Sequence, residues 1–149
     1  MKRANSLLAI ATLCCVGCSS GMYPVDGKVV YTDGQAATEL AGGLVEIQSI
    51  DVTPVVVARG VIKEDGSFAV HTNKPGDGAV PGKHRVVIVP PLHAGVSDTP
   101  GQVAPEMLPR LLDQRYSSYD TSQLEINVSA GANEVTLEVQ RPGYGQLPR

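Results

Sequence analysis

Cysteine is confined to the N-terminal end of the 149-residue chain, and tryptophan is absent. The cysteines are Cys14, Cys15 and Cys18, so the rest of the chain can form neither an internal disulfide nor a cysteine-ligated zinc site. Aromatic residues make up only 4% of the sequence. A hydrophobic core must therefore be built mainly of valine, isoleucine and leucine.

The sequence also lacks a stripe of basic residues, and its formal net charge is −3. Affinity for nucleic acid depends on cationic side chains that displace counterions, so we predict no nucleic-acid partner. The hydrophobic share of 42% is typical of a globular chain, and the length suits one domain. The 16 glycines and 11 prolines indicate many turns and favour an all-β fold over long helices.

The first twenty residues have the order of a secretory signal. Lys2 and Arg3 are followed by an apolar run at 7–16, and then by Gly17, Cys18 and small polar residues. The apolar run is too short to cross a bilayer, which needs about 20 residues. An uncleaved membrane anchor is therefore less favoured than a cleaved signal.

The segment resembles bacterial lipoprotein signals, in which a small residue precedes a lipidated cysteine. Gly17 before Cys18 fits that pattern, whereas Cys15 stands where an aliphatic residue is usual. The resemblance implies a signal peptide at 1–17, palmitate and diacylglycerol on Cys18, and a short tether at 18–24. It also implies export and attachment to the membrane through the lipid, with Ser19 favouring the outer membrane over the inner. A plain signal peptide is the alternative.

Short runs of β-branched residues alternate with turn signals along the body of the chain, which is the pattern of strands. Val86 to Val89 are apolar on both faces, so that strand is predicted to lie centrally in its sheet. The pattern predicts a seven-stranded antiparallel Greek-key β-sandwich. Its strands are expected at 25–31, 44–50, 55–62, 67–71, 83–89, 124–129 and 134–140.

Residues 92–119 break this rhythm with prolines and no alternation, and they are predicted to form a long loop with a short helical turn within 106–114. Long loops inside compact domains are often functional, and they also tolerate variation. Residues 141–149 are expected to form a flexible tail.

Several stretches resemble the carboxypeptidase regulatory-like domain, whose fold is the transthyretin-like (prealbumin-like) sandwich. Gly27 opens a Gly-x-Val strand, and the Asp65-Gly66 turn leads to Phe68, an aromatic expected to fill the core. Residues 82–88 resemble the strand that follows, with His84 where tyrosine is usual, and 116–128 resemble the closing segment of envelope lipoproteins. The resemblance covers 25–140 and implies a non-catalytic domain.

No catalytic or metal-binding motif stands out. The three histidines are dispersed and have no cysteine partners in the body, so we predict no metal and no cofactor. Asp65 and Asp77 are better explained as turn residues than as calcium ligands. No Gly-x-Ser-x-Gly motif accompanies the serines near Asp120. The protein is therefore not expected to be an enzyme.

Tyr116 and Tyr119, with Arg115 and Arg110 nearby, form the one concentration of aromatic and cationic side chains, and they are candidate ligand contacts. The competing interpretation is that the tyrosines fasten the loop to the domain. We predict a structural or interaction module that meets an envelope protein or polysaccharide. The alternative is a carbohydrate- or peptide-binding module that uses the sandwich loops, and a hydrolase comes third.

Overall fold

The computed structural model describes residues 21–91 and 111–142. Within these residues the chain is all-β, with two single-turn 3-10 helices, Thr38–Leu40 and Gln114–Ser117. The seven strands are β1 (Val25–Tyr31), β2 (Leu44–Ser49), β3 (Val57–Val61), β4 (Ser67–Ala69), β5 (Gly82–Val89), β6 (Leu124–Val128) and β7 (Asn133–Val139).

The strands form two sheets around one hydrophobic core. One sheet has the order β4-β1-β7 and the other β3-β2-β5-β6, so the chain moves from one sheet to the other between β1 and β2, β3 and β4, β4 and β5, and β6 and β7. Buried side chains from both sheets belong to a single core cluster, including Val29, Ile47, Phe68, Ile88 and Val139. Aliphatic residues make up most of this cluster, and Phe68, Tyr31 and Tyr116 are its aromatic members.

The predicted strand positions agree with the observed ones to within two residues at each end. Phe68 is buried, as predicted, and Val45 and Ile47 are buried along β2, where they alternate with the polar Glu46 and Gln48. The doubly apolar strand β5 lies between β2 and β6, as predicted from Val86 to Val89. Val86, Val87 and Ile88 are buried on both faces of that strand, whereas Val89 is exposed.

The prediction of a wholly antiparallel arrangement is wrong for one pair of strands. β1 and β7 run parallel, with Val25 opposite Asn133 and Tyr31 opposite Val139. The chain crosses between the sheets before β7 begins, so no tight turn forces these two strands into opposite directions. Residue alternation specifies which face is buried but not the direction of the neighbouring strand.

The Asp65-Gly66 turn forms as predicted, but it does not close a hairpin within one sheet. It joins β3 to β4, which belong to different sheets and meet through the bridge between Arg59 and His71. Gly60 allows this approach, because a Cβ atom there would lie 2.4 Å from the carbonyl oxygen of Ala69.

Some predictions fall outside the described residues. These are the signal peptide at 1–17 with Cys18, the part of the long loop at 92–110, and the tail from 143 to 149. Of the helical turn predicted within 106–114, residues 111–113 are not helical, and the 3-10 helix begins at Gln114.

Candidate functional site

The two candidate ligand-contact tyrosines lie within residues 111–122, a segment that is attached to both sheets. The Tyr31 hydroxyl donates a hydrogen bond to the Leu111 carbonyl at 3.3 Å, and the Asp113 N–H donates to the Gln140 carbonyl at 3.3 Å. These bonds attach the segment to the ends of β1 and β7. The segment contains the three candidate contact residues that the structure describes, Arg115, Tyr116 and Tyr119.

Tyr116 lies in the core, with only 6% of its surface exposed. Its hydroxyl oxygen accepts a hydrogen bond from the Gln140 N–H at 3.2 Å. Arg115 is exposed, pairs with Asp113 at 3.0 Å, and has its guanidinium 6.0 Å from the Tyr116 ring centroid. The hydrogen bonds from Arg115 lower the pKa of Asp113. Arg110 lies outside the described residues.

Tyr119 lies half-buried on the outer face of the four-stranded sheet. Its hydroxyl donates to Glu46 Oε1 at 2.8 Å, and the Arg85 guanidinium carbon is 5.4 Å from its ring centroid. Val87 neighbours both partners, being paired with Glu46 and two residues beyond Arg85 on the same face. Val87 thus lies between the two partners of Tyr119 and is only 5% exposed, although it faces outward.

Glu46 links this tyrosine to a neighbouring strand. Arg59 on β3 faces it across the sheet and donates to its second carboxylate oxygen. Burial opposes ionisation of Glu46, but hydrogen bonds from Arg59 and Tyr119 outweigh burial and hold the pKa of the carboxyl below its usual value. Burial, followed by the contact with Glu46, raises the pKa of Tyr119.

These shifts define what the Glu46–Tyr119 pair can do chemically. At neutral pH the carboxyl stays ionised and the phenol stays protonated, so neither group is ready to exchange a proton with a substrate. General acid–base catalysis favours a group whose pKa lies near the working pH. The pair is therefore suited to fastening residues 111–122 to the sheet.

The histidines do not converge. His84 is buried on β5, with Nδ1 3.0 Å from the Gly82 carbonyl oxygen, and burial lowers its pKa. His71 is exposed next to β4, and His93 lies outside the described residues. Across residues 21–91 and 111–142, no three His, Cys, Asp or Glu side chains are grouped as a metal site would require.

The two aspartates that might suggest calcium serve the backbone instead. Asp65 accepts a hydrogen bond from the Ser67 N–H at 2.9 Å in the turn before β4. Asp77 accepts from the N–H groups of Thr72, Asn73 and Lys74 at 2.8–3.0 Å. Each carboxylate therefore shapes its own loop.

The outer face of the four-stranded sheet carries exposed apolar residues at both ends. Leu44, Val61 and Val89 lie side by side at one end, because Leu44 pairs with both of the others. At the other end Ile50 and Val55 are 46% and 56% exposed. Neither group was predicted from the sequence, although the alternation of Glu46, Gln48 and Ile50 already places Ile50 on the solvent-facing side of β2.

The first described residues of the chain are held to the domain a few positions after Cys18 in the sequence. Tyr23 forms a bridge with Ala79, in which the N–H of each residue donates to the carbonyl of the other at 2.8 and 3.0 Å. Asn133 then binds the Pro24 carbonyl through both its N–H and its side-chain amide. The chain is thus held to the domain five residues after Cys18.

Comparisons with known proteins give no family. No family model matches the chain, and no curated protein matches it. It is similar to a DUF3823 family protein from Parabacteroides merdae, with 17% identity, a TM-score of 0.47, and coverage of 80% of this chain and 46% of that one.

A 9R-lipoxygenase from Cyanothece is similar at 16% identity and a TM-score of 0.41, with coverage of 97% of this chain and 20% of that one. The chain spans less than half the length of either protein, and neither likeness supports an activity. Among the helices of the described ranges, none combines the length and apolar character needed to span a membrane.

Proposed function

We propose that the protein is a non-catalytic lipoprotein of the bacterial cell envelope, exported by the signal at 1–17 and anchored by lipid on Cys18. The domain then acts as a structural or interaction module for an envelope protein or polysaccharide. The outer membrane is the favoured location, on the strength of Ser19.

The fold we propose for this module is a Greek-key sandwich of the transthyretin-like kind, close to the carboxypeptidase regulatory-like domain. Two sheets that share one core support it. So does the packing of Phe68 on β1, where its ring tip would lie 2.5 Å from a Cβ atom at Gly27. The Gly-x-Val strand and the aromatic after the Asp-Gly turn are the features on which the resemblance depends.

The observation that carries the proposal is the position of the Tyr23–Ala79 bridge. A cysteine that follows a small residue and an apolar run lies five residues before Tyr23, which is paired with Ala79. Five residues extend over at most about 18 Å. This spacing suits a lipid-bearing cysteine with a folded domain directly behind it, and residues 19–149 hold no other cysteine that lipid could use.

The test is lipid labelling of the full chain in a bacterial host fed radiolabelled palmitate. We expect the wild-type protein to take up the label and to partition into the detergent phase of Triton X-114, because acyl chains add buried methylene groups. The Cys18→Ala variant is expected to lose both properties, whereas Cys15→Ala, the matched control, keeps them. Equal labelling of wild type and Cys18→Ala would refute the anchor.

A further inference from the structure

The domain has two poles that differ in their distance from Cys18. The anchor pole comprises Tyr23, loop 50–56, loop 72–81 and turn 129–132. These parts meet because Tyr23 bridges Ala79 and the N–H of Ile50 donates to the Lys83 carbonyl at 2.9 Å. The far pole comprises loop 32–43 and the ends of β3 and β5.

The far pole lies further from Tyr23 than residues 18–23 can reach. β1 extends about 20 Å from Val25 to Tyr31, at roughly 3.3 Å per residue. Residues 18–23 span at most about 18 Å, and the Tyr23 bridge prevents them from running further along the domain. The anchor pole is therefore the part of the domain that a lipid on Cys18 brings to the bilayer.

Of the large apolar residues exposed in the described ranges, only Ile50 and Val55 lie on the anchor pole. The Ser49 N–H donates to the Val56 carbonyl at 2.9 Å, and the Val56 N–H donates to the Ser49 hydroxyl at 2.8 Å. Ile50 and Val55 therefore directly flank the last pair of residues joined between the end of β2 and the start of β3. On its other side Ile50 neighbours Lys83, which is exposed. An apolar pair next to a lysine suits the boundary between acyl chains and headgroups, because lysine keeps its ammonium group in the polar layer.

We propose that loop 50–56 contacts the lipid bilayer through Ile50 and Val55, with Lys83 at the headgroup level. This contact rests on the proposed lipidation of Cys18 and assigns the orientation of the domain. It places the apolar row of Leu44, Val61 and Val89 on the side away from the membrane. Asp51 is compatible with the contact, because its carboxylate accepts the Lys83 backbone N–H at 3.1 Å.

The experiment uses the absence of tryptophan from the chain. Full-length Val55→Trp and Val61→Trp variants each carry a single fluorescent reporter, at positions that are 56% and 54% exposed at opposite poles. Each lipidated protein is purified from host membranes and reconstituted in phosphatidylcholine vesicles whose acyl chains are brominated. Ile50→Trp is a second reporter for the anchor pole, should Val55→Trp fail to fold.

For Val55→Trp we expect a blue-shifted emission and loss of most of the intensity to bromine quenching, because the residue should lie at a depth of about 5–10 Å. For Val61→Trp we expect unchanged emission. No quenching at either position, or equal quenching at both, would overturn the orientation while leaving lipidation intact if palmitate is incorporated. Absence of palmitate from the wild-type protein would remove the anchor and, with it, this inference.

Discussion

Among the described glycines, Gly78 leaves the least room for a side chain. Its φ is +78°, and a Cβ atom would lie 1.8 Å from the Tyr23 carbonyl oxygen, inside the bridge that holds the N-terminal end. Gly76 in the same loop has a φ of +82° with nothing within 4 Å of its Cβ position. The two glycines therefore share the backbone requirement but not the close contact.

We expect Gly78→Ala to lower the free energy of unfolding by about 1–3 kcal/mol more than Gly76→Ala, since only the first forces backbone apart. Both variants share the cost of a left-handed conformation for alanine. Urea denaturation of the two variants and the wild type measures the difference. Equal losses would mean that the Tyr23–Ala79 bridge contributes little to stability.

At the scale of elements, residue alternation predicts the strands well because each has one buried and one wet face. The clearest example is β2, in which Val45 and Ile47 are buried and alternate with Glu46 and Gln48. The parallel pairing of β1 with β7 has no such signal, because it joins the two ends of the chain. The partnership of Tyr119 with Glu46 likewise depends on sheet register, 73 residues apart in sequence.

Leu112, just before the 3-10 helix at Gln114–Ser117, is part of the core. The prolines of 92–119 and the absence of alternation give no sign of this. Leu112 is only 3% exposed and belongs to the core cluster, whereas Leu111 next to it is half-buried. Sequence reasoning assigned both to a surface loop. The part of the predicted loop that the structure describes, from residue 111 onward, therefore packs on the sheets.

We expect Leu112→Ala to cost about 2–4 kcal/mol of unfolding free energy, because it removes methylene groups and leaves a cavity. Leu111→Ala serves as the matched control and should cost clearly less, since its side chain already meets solvent. Chemical denaturation followed by circular dichroism gives both values. A loss for Leu112→Ala no larger than that for Leu111→Ala would contradict a structural role for this segment.

At the scale of the whole molecule, His84, Glu46 and Asp77 all have lowered pKa values and tie stability to pH in the same direction. Burial lowers the pKa of His84, with partial opposition from the Gly82 carbonyl and Asp51. The folded state therefore prefers neutral histidine, and unfolding takes up a proton below the unfolded pKa of about 6.5. The carboxyls of Glu46 and Asp77 also have lowered pKa values, so their contribution is lost only below about pH 4.5.

We expect the free energy of unfolding to fall in two stages on acidification, first below about pH 6.5 and again below about pH 4.5. In the first stage the slope approaches, at most, about 1.4 kcal/mol per pH unit for the single proton taken up by His84. His84→Gln has no titrating side chain there, so its stability between pH 7.5 and 5.5 should stay level, whatever its absolute value. Urea titrations at half-unit intervals test this, and an equal slope in wild type and variant would assign the first stage to another group.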